Sequence, residues 1–198
     1  MDLSFGPEYD DFRSDVVNFL NNNSGKAPKG GDLRGEQAKD WQKLLIENGY
    51  TCRTIPKEYG GFGAEPDIIK SRIIGEEFSK SRINPGLGGQ GISMLVPTLL
   101  EMGTEEQKQK FIRPTIHGDM IWCQGYSEPG AGSDLASLTT AAVLDGDEWV
   151  VNGQKIWTST AHLADWIFCL VRSEPEAPKH KGISFLLFEM TTPGIEIR

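Results

Sequence analysis

The sequence predicts an α+β chain, with an all-helical half over residues 1–119 and an antiparallel, strand-rich half over residues 120–198. Three observations carry this. Up to His117 apolar residues recur at the three-to-four spacing of helices. Beyond Gly118 they gather into short β-branched and aromatic runs. Asp145-Gly146-Asp147 and Asn152-Gly153 then supply turn signals between those runs. Helices first and strands second is the pattern of α+β folds or of two separate domains.

Residues 7–22 open with Pro7, suited to a first helical turn, and place Phe12, Val16, Phe19 and Leu20 on one face. Gly25 to Gly35 reads as a loop rich in Gly, Lys and Pro, and Trp41, Leu44 and Leu45 mark a second helix that ends at Gly49. Pro56-Lys57-Glu58-Tyr59-Gly60-Gly61 is a connection without regular structure. A third helix over residues 66–80 carries Ile68, Ile69, Ile73, Ile74 and Phe78. Ile92 to Met102 is a fourth, kinked at Pro97; Gly103-Thr104 then caps a fifth from Glu105 to about His117, with acids in its first turn.

In the second half, Leu138–Leu144 and Glu148–Val151 flank the first turn signal, and Asn152-Gly153 is expected to lead into a strand over Gln154–Trp157. Asp165–Val171 and Ile183–Phe188 read as two more strands, separated by the polar loop Ser173–Lys181, and Ile195–Arg198 as the start of another. These strands suggest a meander, and the chain is expected to stop inside an unfinished sheet.

The chain has 198 residues, 38% hydrophobic and 24% charged, enough to bury a sizeable core. Its 28 acidic against 20 basic residues give a net charge of -8, which argues against nucleic acid as a partner, because phosphate contacts need a basic surface. The acidic N-terminus (Asp2, Glu8, Asp10, Asp11) lacks the composition of a transit or signal peptide, and no run reaches the ~18 apolar residues of a membrane span, so a cytoplasmic protein is expected. Cys52, Cys123 and Cys169 show neither disulfide nor zinc spacing and read as reduced thiols. His117, His162 and His180 form no ligand pattern, so no metal site is expected.

Residues 125–134, Gly-Tyr-Ser-Glu-Pro-Gly-Ala-Gly-Ser-Asp, are the segment least suited to a core and best suited to face a ligand. Gly130 and Gly132 let backbone N–H groups approach closely, while Ser127 and Ser133 add hydroxyls. Lys155-Ile156-Trp157-Thr158-Ser159 could converge on this loop. Together they offer what a flavin ring needs: an apolar wall from Trp157 and donors from Ser127, Thr158 and Ser159. A strand end with a polar turn has the same spacing, and spacing alone does not choose.

The segments SEPGAGSD (Ser127–Asp134), NGQKIWTS (Asn152–Ser159), PKEYGG (Pro56–Gly61) and GTEEQKQKF (Gly103–Phe111) resemble those of the acyl-CoA dehydrogenase family, in the same order. The resemblance spans nearly the whole chain. Tyr126 stands where the family has an aliphatic residue, and Trp157-Thr158-Ser159 where it has Trp-Ile-Thr; both departures bear on the substrate rather than on the flavin.

The resemblance implies an N-terminal helical domain (1–119) and a middle, antiparallel β-barrel-like, FAD-binding domain (120–198) that is incomplete. Its cofactor residues would be Gln124, Tyr126, Ser127, Gly132, Ser133, Trp157, Thr158 and Ser159, with Ser133 also meeting the acyl-CoA; a simple capping role for Ser133 stays open. Trp157 would cover one ring face. The implied activity is FAD-dependent α,β-dehydrogenation of an acyl-CoA thioester to the trans-2-enoyl thioester. Electrons would pass to an electron-transfer flavoprotein, and the full-length protein would form a homo-oligomer. No catalytic residue is assigned: Glu128 is expected to organise local N–H groups, and the family's α-proton-abstracting glutamate lies in a later helical domain missing here. A truncated chain, inactive by itself, is therefore expected. An acyl-CoA oxidase and a non-catalytic flavin- or acyl-binding subunit remain alternatives. Lys179-His180-Lys181 reads as a solvated hairpin tip rather than a CoA-phosphate site, and Leu95, Leu99 and Met102 as helical core rather than acyl pocket.

Overall fold

The computed structural model describes residues 6–30 and 34–198, which form two compact units. Asp2 and the 31–33 part of the Gly25–Gly35 loop lie outside the described residues. Among the described residues, the first unit holds five α-helices: α1 (Pro7–Asn23), α2 (Glu36–Glu47), α3 (Ile68–Ser81), α4 (Val96–Met102) and α5 (Glu105–Ile116). Its core joins Val16, Phe19 and Leu20 of α1, Trp41 and Leu45 of α2, and Ile73, Ile74 and Phe78 of α3. Those are the residues that helical spacing placed on single faces. An ionic clasp backs the apolar contact. Arg13 on α1 pairs with Glu76 (2.9 Å) and with the nearly buried Glu77 on α3, and Lys80 closes on Glu77 at 2.7 Å.

Helix termini follow local chemistry. Asp67 accepts from Lys70 N at 2.9 Å, so α3 starts at Ile68 rather than Pro66, and Ile68 is left exposed. Thr104 and Gln107 form a reciprocal capping box at the start of α5. The fourth helical stretch changes geometry near Pro97: Gly91–Leu95 is a wide π-helical turn assigned to the second unit, and α4 follows it. Leu95 and Leu99 are buried but Met102 is exposed, so the expected stripe stops one turn early.

The second unit is an open five-stranded sheet of β1 (Trp122–Gly125), β2 (Ala141–Asp145), β3 (Glu148–Asn152), β4 (Trp166–Arg172) and β5 (Ile183–Glu189). It corrects the simple antiparallel meander. β4 pairs antiparallel with β5, and β2 with β3, but β1 runs parallel to β4 with Trp122 opposite Trp166, and β2 meets β4 in parallel at Ala141–Arg172. β1 and β2 are thus two pieces of one neighbour to β4, interrupted by residues 126–140. The four-residue β1 carries too little alternation to stand out in the sequence. Asn152-Gly153 makes no second hairpin: residues 153–158 are irregular, as are 195–198. Leu135–Ser137 is a short 3-10 turn, so β2 begins at Ala141 rather than Leu138. One sheet face buries Cys123, Ala142, Ile167, Cys169 and Val171; the thiols of Cys123 and Cys169 are pushed by burial to about 11, in keeping with inert packing.

Candidate functional site

The excursion from β1 to β2 is the Ser/Gly loop, anchored at both ends by the sheet. Glu128 holds its middle. The carboxylate is 4% exposed and accepts from Thr139 N (2.7 Å), Thr139 Oγ1 (2.8 Å), Thr140 N (2.8 Å) and Lys155 Nζ (2.9 Å). Burial by itself would raise its pKa. The contacts from Thr140, Lys155 and the backbone of Thr139 and Thr140 outweigh burial and bring it down to about 2. A carboxylate so committed cannot act as a base near neutrality. Glu77, the other buried acid among the described residues, is also held ionised: burial opposes the shift, but Lys80 and Arg13 lower its pKa.

Lys155 ties the second motif to the first. Its ammonium, on a side chain only 10% exposed, also donates to Tyr126 O at 3.1 Å, and Ile156 N donates to Ser127 O at 2.8 Å. These two bonds, rather than a hairpin, bring Lys155–Ser159 against Tyr126–Ser127. Gly153 makes the approach possible, because a Cβ there would collide with Thr140. Lys155 is the functional support that motif reading passed over; its signal is a lone lysine between the turn and the apolar Ile156-Trp157 pair.

The expected site residues fall as follows. Gln124 lies on β1, half-buried, on the sheet face of Trp122 and Phe168. Tyr126 sets its ring edge-on to Phe168, with centroids 5.8 Å apart. Ser127 is half-buried beside Ile156. Gly132 and Ser133 are exposed at the loop tip, and a Cβ at Gly132 would meet nothing within 4 Å. Trp157 is 84% exposed and sits at φ 58, a backbone conformation unusual for a bulky residue. Thr158 Oγ1 is buried and has no hydrogen-bond partner among the described residues; Ser159 is exposed next to it. The structure brings Tyr126 and Ser127 together with the Lys155–Ser159 segment, and it leaves Gly132 and Ser133 at the far end of the loop.

At that far end, Asp134 accepts from Ser137 Oγ (2.5 Å) and Lys179 Nζ (3.0 Å), and no side-chain cap bond closes the 3-10 turn Leu135–Ser137. Lys179 also donates to Ser137 Oγ at 2.6 Å from an exposed position in the loop between β4 and β5, where the sequence places a solvated hairpin tip. An exposed indole, a solvent-facing glycine and an unpaired buried hydroxyl on one loop pair suit a planar, acceptor-bearing ligand.

The model of the acyl-CoA dehydrogenase N-terminal domain matches residues 6–119, and that of the acyl-CoA dehydrogenase middle domain matches residues 123–198. The chain is 43% identical over 163 residues to acyl-CoA dehydrogenase IpdE1 of Mycobacterium tuberculosis, covering 82% of this chain and 42% of that protein. It is 60% identical over 158 residues to acyl-CoA dehydrogenase FadE34 of the same organism, covering 79% of this chain and 22% of that one. Among solved structures, the Tcur3481-Tcur3483 steroid ACAD superposes with a TM-score of 0.71 at 37% identity, over 96% of this chain and 49% of its own. The chain thus spans less than half the length of these relatives. With both domain models matched in order along its length, the chain belongs to the acyl-CoA dehydrogenase family.

Proposed function

We propose that the protein is the FAD-binding part of an acyl-CoA dehydrogenase, with residues 1–119 its helical domain and 120–198 its middle β-domain. The whole enzyme would convert an acyl-CoA thioester to the trans-2-enoyl thioester. The observation that carries the reading is Thr158 Oγ1, a buried hydroxyl without a partner among the described residues, set between exposed Trp157 and Ser159 on a segment tied to the Ser/Gly loop. Such an orphan is costly unless a ligand completes it. A flavin fits: its ring carries acceptors for the hydroxyls of Ser127, Thr158 and Ser159, and a face for the indole of Trp157. Gln124 and Tyr126 would border the ring, Gly132 would admit the backbone to a phosphate, and Ser133 would meet both the cofactor phosphate and the acyl-CoA.

Hydride acceptance is the chemistry the flavin supplies when bound. The chain's residues orient the ring, shield it and hold the thioester beside it. The α-proton falls to a carboxylate outside these residues, since Glu128 and Glu77 are both locked in ion pairs. In the cytoplasm, a homo-oligomer handing electrons to an electron-transfer flavoprotein completes the proposal; among the described residues no helix is long and apolar enough to cross a membrane.

The test is anaerobic titration of the product of the complete reading frame with linear, branched and polycyclic acyl-CoA thioesters, the last because one structural relative is a steroid ACAD. Bleaching of the visible flavin band by any of them supports the reading. Bound flavin that none of them reduces would overturn it, and peroxide formed under air would favour an oxidase.

A further inference from the structure

Gln90 stands immediately before the π-helical turn Gly91–Leu95, in the same compact unit as the sheet. Turns of this kind are enriched at functional sites. Its amide reaches across to β1: Gln90 Nε2 donates to Gln124 Oε1 at 3.3 Å, and Gln124 Nε2 faces Met94 Sδ at 3.4 Å. The last member fixes the direction of this relay. A thioether sulfur only accepts, so Gln124 turns its nitrogen to Met94 and its oxygen to Gln90, and Gln90 must turn its own nitrogen to Gln124. Gln90 Oε1 is then left over, buried and without a hydrogen-bond partner among the described residues. An acceptor in that condition is destabilising unless a donor arrives with a ligand.

We propose that Gln90 is a further cofactor-binding residue, its amide oxygen accepting the ring N–H on the pyrimidine edge of the flavin, next to Gln124. The proposal rests on the flavin reading of the site. An oxidised isoalloxazine has one ring N–H, set between two carbonyl oxygens, and the matching surface is an acceptor beside amide donors. Gln90 Oε1 is that acceptor. The Gln124 amide is the adjacent donor; it also faces the Tyr126 hydroxyl and Met94 Sδ, the latter a weak acceptor. An alkyl chain and a thioester carbonyl offer Gln90 no donor, so the reacting end of an acyl-CoA cannot fill this role.

The experiment compares FAD with its N3-methyl derivative, in which the ring N–H is replaced, binding to the apoprotein of the complete reading frame by flavin fluorescence quenching. The wild-type protein should bind the methylated flavin at least about tenfold more weakly, and Gln90→Leu should bind FAD about threefold to tenfold more weakly than wild type and discriminate less between the two flavins. Equal wild-type affinity for both flavins, or a Gln90→Leu protein that keeps the wild-type affinities and their ratio, overturns the assignment. Should Gln90→Leu not fold by circular dichroism, Gln90→Met replaces it and the wild-type comparison still decides. A wild-type protein that binds neither flavin sinks the flavin reading itself, a result distinct from failure at Gln90 alone.

Discussion

Removing the Glu128 carboxylate should cost the β-unit more than any other single polar change in the loop. Glu128→Ala deletes the acceptor of four hydrogen bonds and leaves the Lys155 ammonium, on a side chain 10% exposed, without its counter-charge. Breaking a buried pair from one side costs roughly 3–5 kcal/mol, and the newly orphaned Thr140 N–H adds to that side of the balance. Against a total of about 5–15 kcal/mol for an ordinary domain, this is a large share of the stability. The pH dependence has a definite sign. The Glu128 pKa falls from 4.5 to about 2 on folding, so its contribution is fully present above 4.5 and is lost as pH drops from there toward 2. That shift corresponds to about 3 kcal/mol at roughly 1.36 kcal/mol per pH unit, in line with the figure for the broken pair. Urea unfolding followed by tryptophan fluorescence is the assay, because Trp122, Trp149, Trp157 and Trp166 all report on the β-unit. Lys155→Met added to Glu128→Ala should recover part of the loss. A change below about 1 kcal/mol for Glu128→Ala, or no acid-linked loss of stability as pH falls through that window, would refute the account of Glu128 as the pin of the loop.

Three further changes bear on the ligand. Thr158→Val replaces an unpaired buried hydroxyl by a methyl, so flavin-free protein should keep or slightly gain thermal stability while flavin affinity falls severalfold, by roughly 0.5–1.5 kcal/mol; unchanged affinity measured by fluorescence titration would remove Thr158 from the site. Trp157→Ala removes an 84% exposed indole, so melting of the apoprotein should barely move while flavin content after purification and the reduction rate both drop. Normal flavin content and a normal rate would end its role as the ring wall. Ser133→Ala should leave the fold intact, since Ser133 is exposed at the loop tip, and slow reduction by acyl-CoA through the loss of about 0.5–1.5 kcal/mol; identical stopped-flow kinetics would place Ser133 outside the substrate contact.

Much of the helical unit was legible residue by residue. Helix faces were set by the spacing of Val16, Phe19, Leu20, Ile73, Ile74 and Phe78, and the start of α5 by Thr104 and Gln107, because helix hydrogen bonds and caps close within a few residues. The Ser/Gly loop and the Trp157 segment were legible as motifs, and their meeting as a possibility. Its cause was not: the tie runs from Lys155 to Glu128 and Tyr126, across 27 and 29 residues, and no local pattern encodes a partner at that distance.

Strand direction belongs to the same class. Sequence determined where apolar runs lie and which turn could close a hairpin, and β2–β3 obeys it because its partners are neighbours in the chain. Tertiary structure alone decided that β1 lies parallel to β4, that residues 153–158 leave the sheet to pin the loop, and that Gln90 lies next to Gln124. Each of those depends on a contact between residues far apart in the chain, chosen by which buried polar groups find partners once the core has closed.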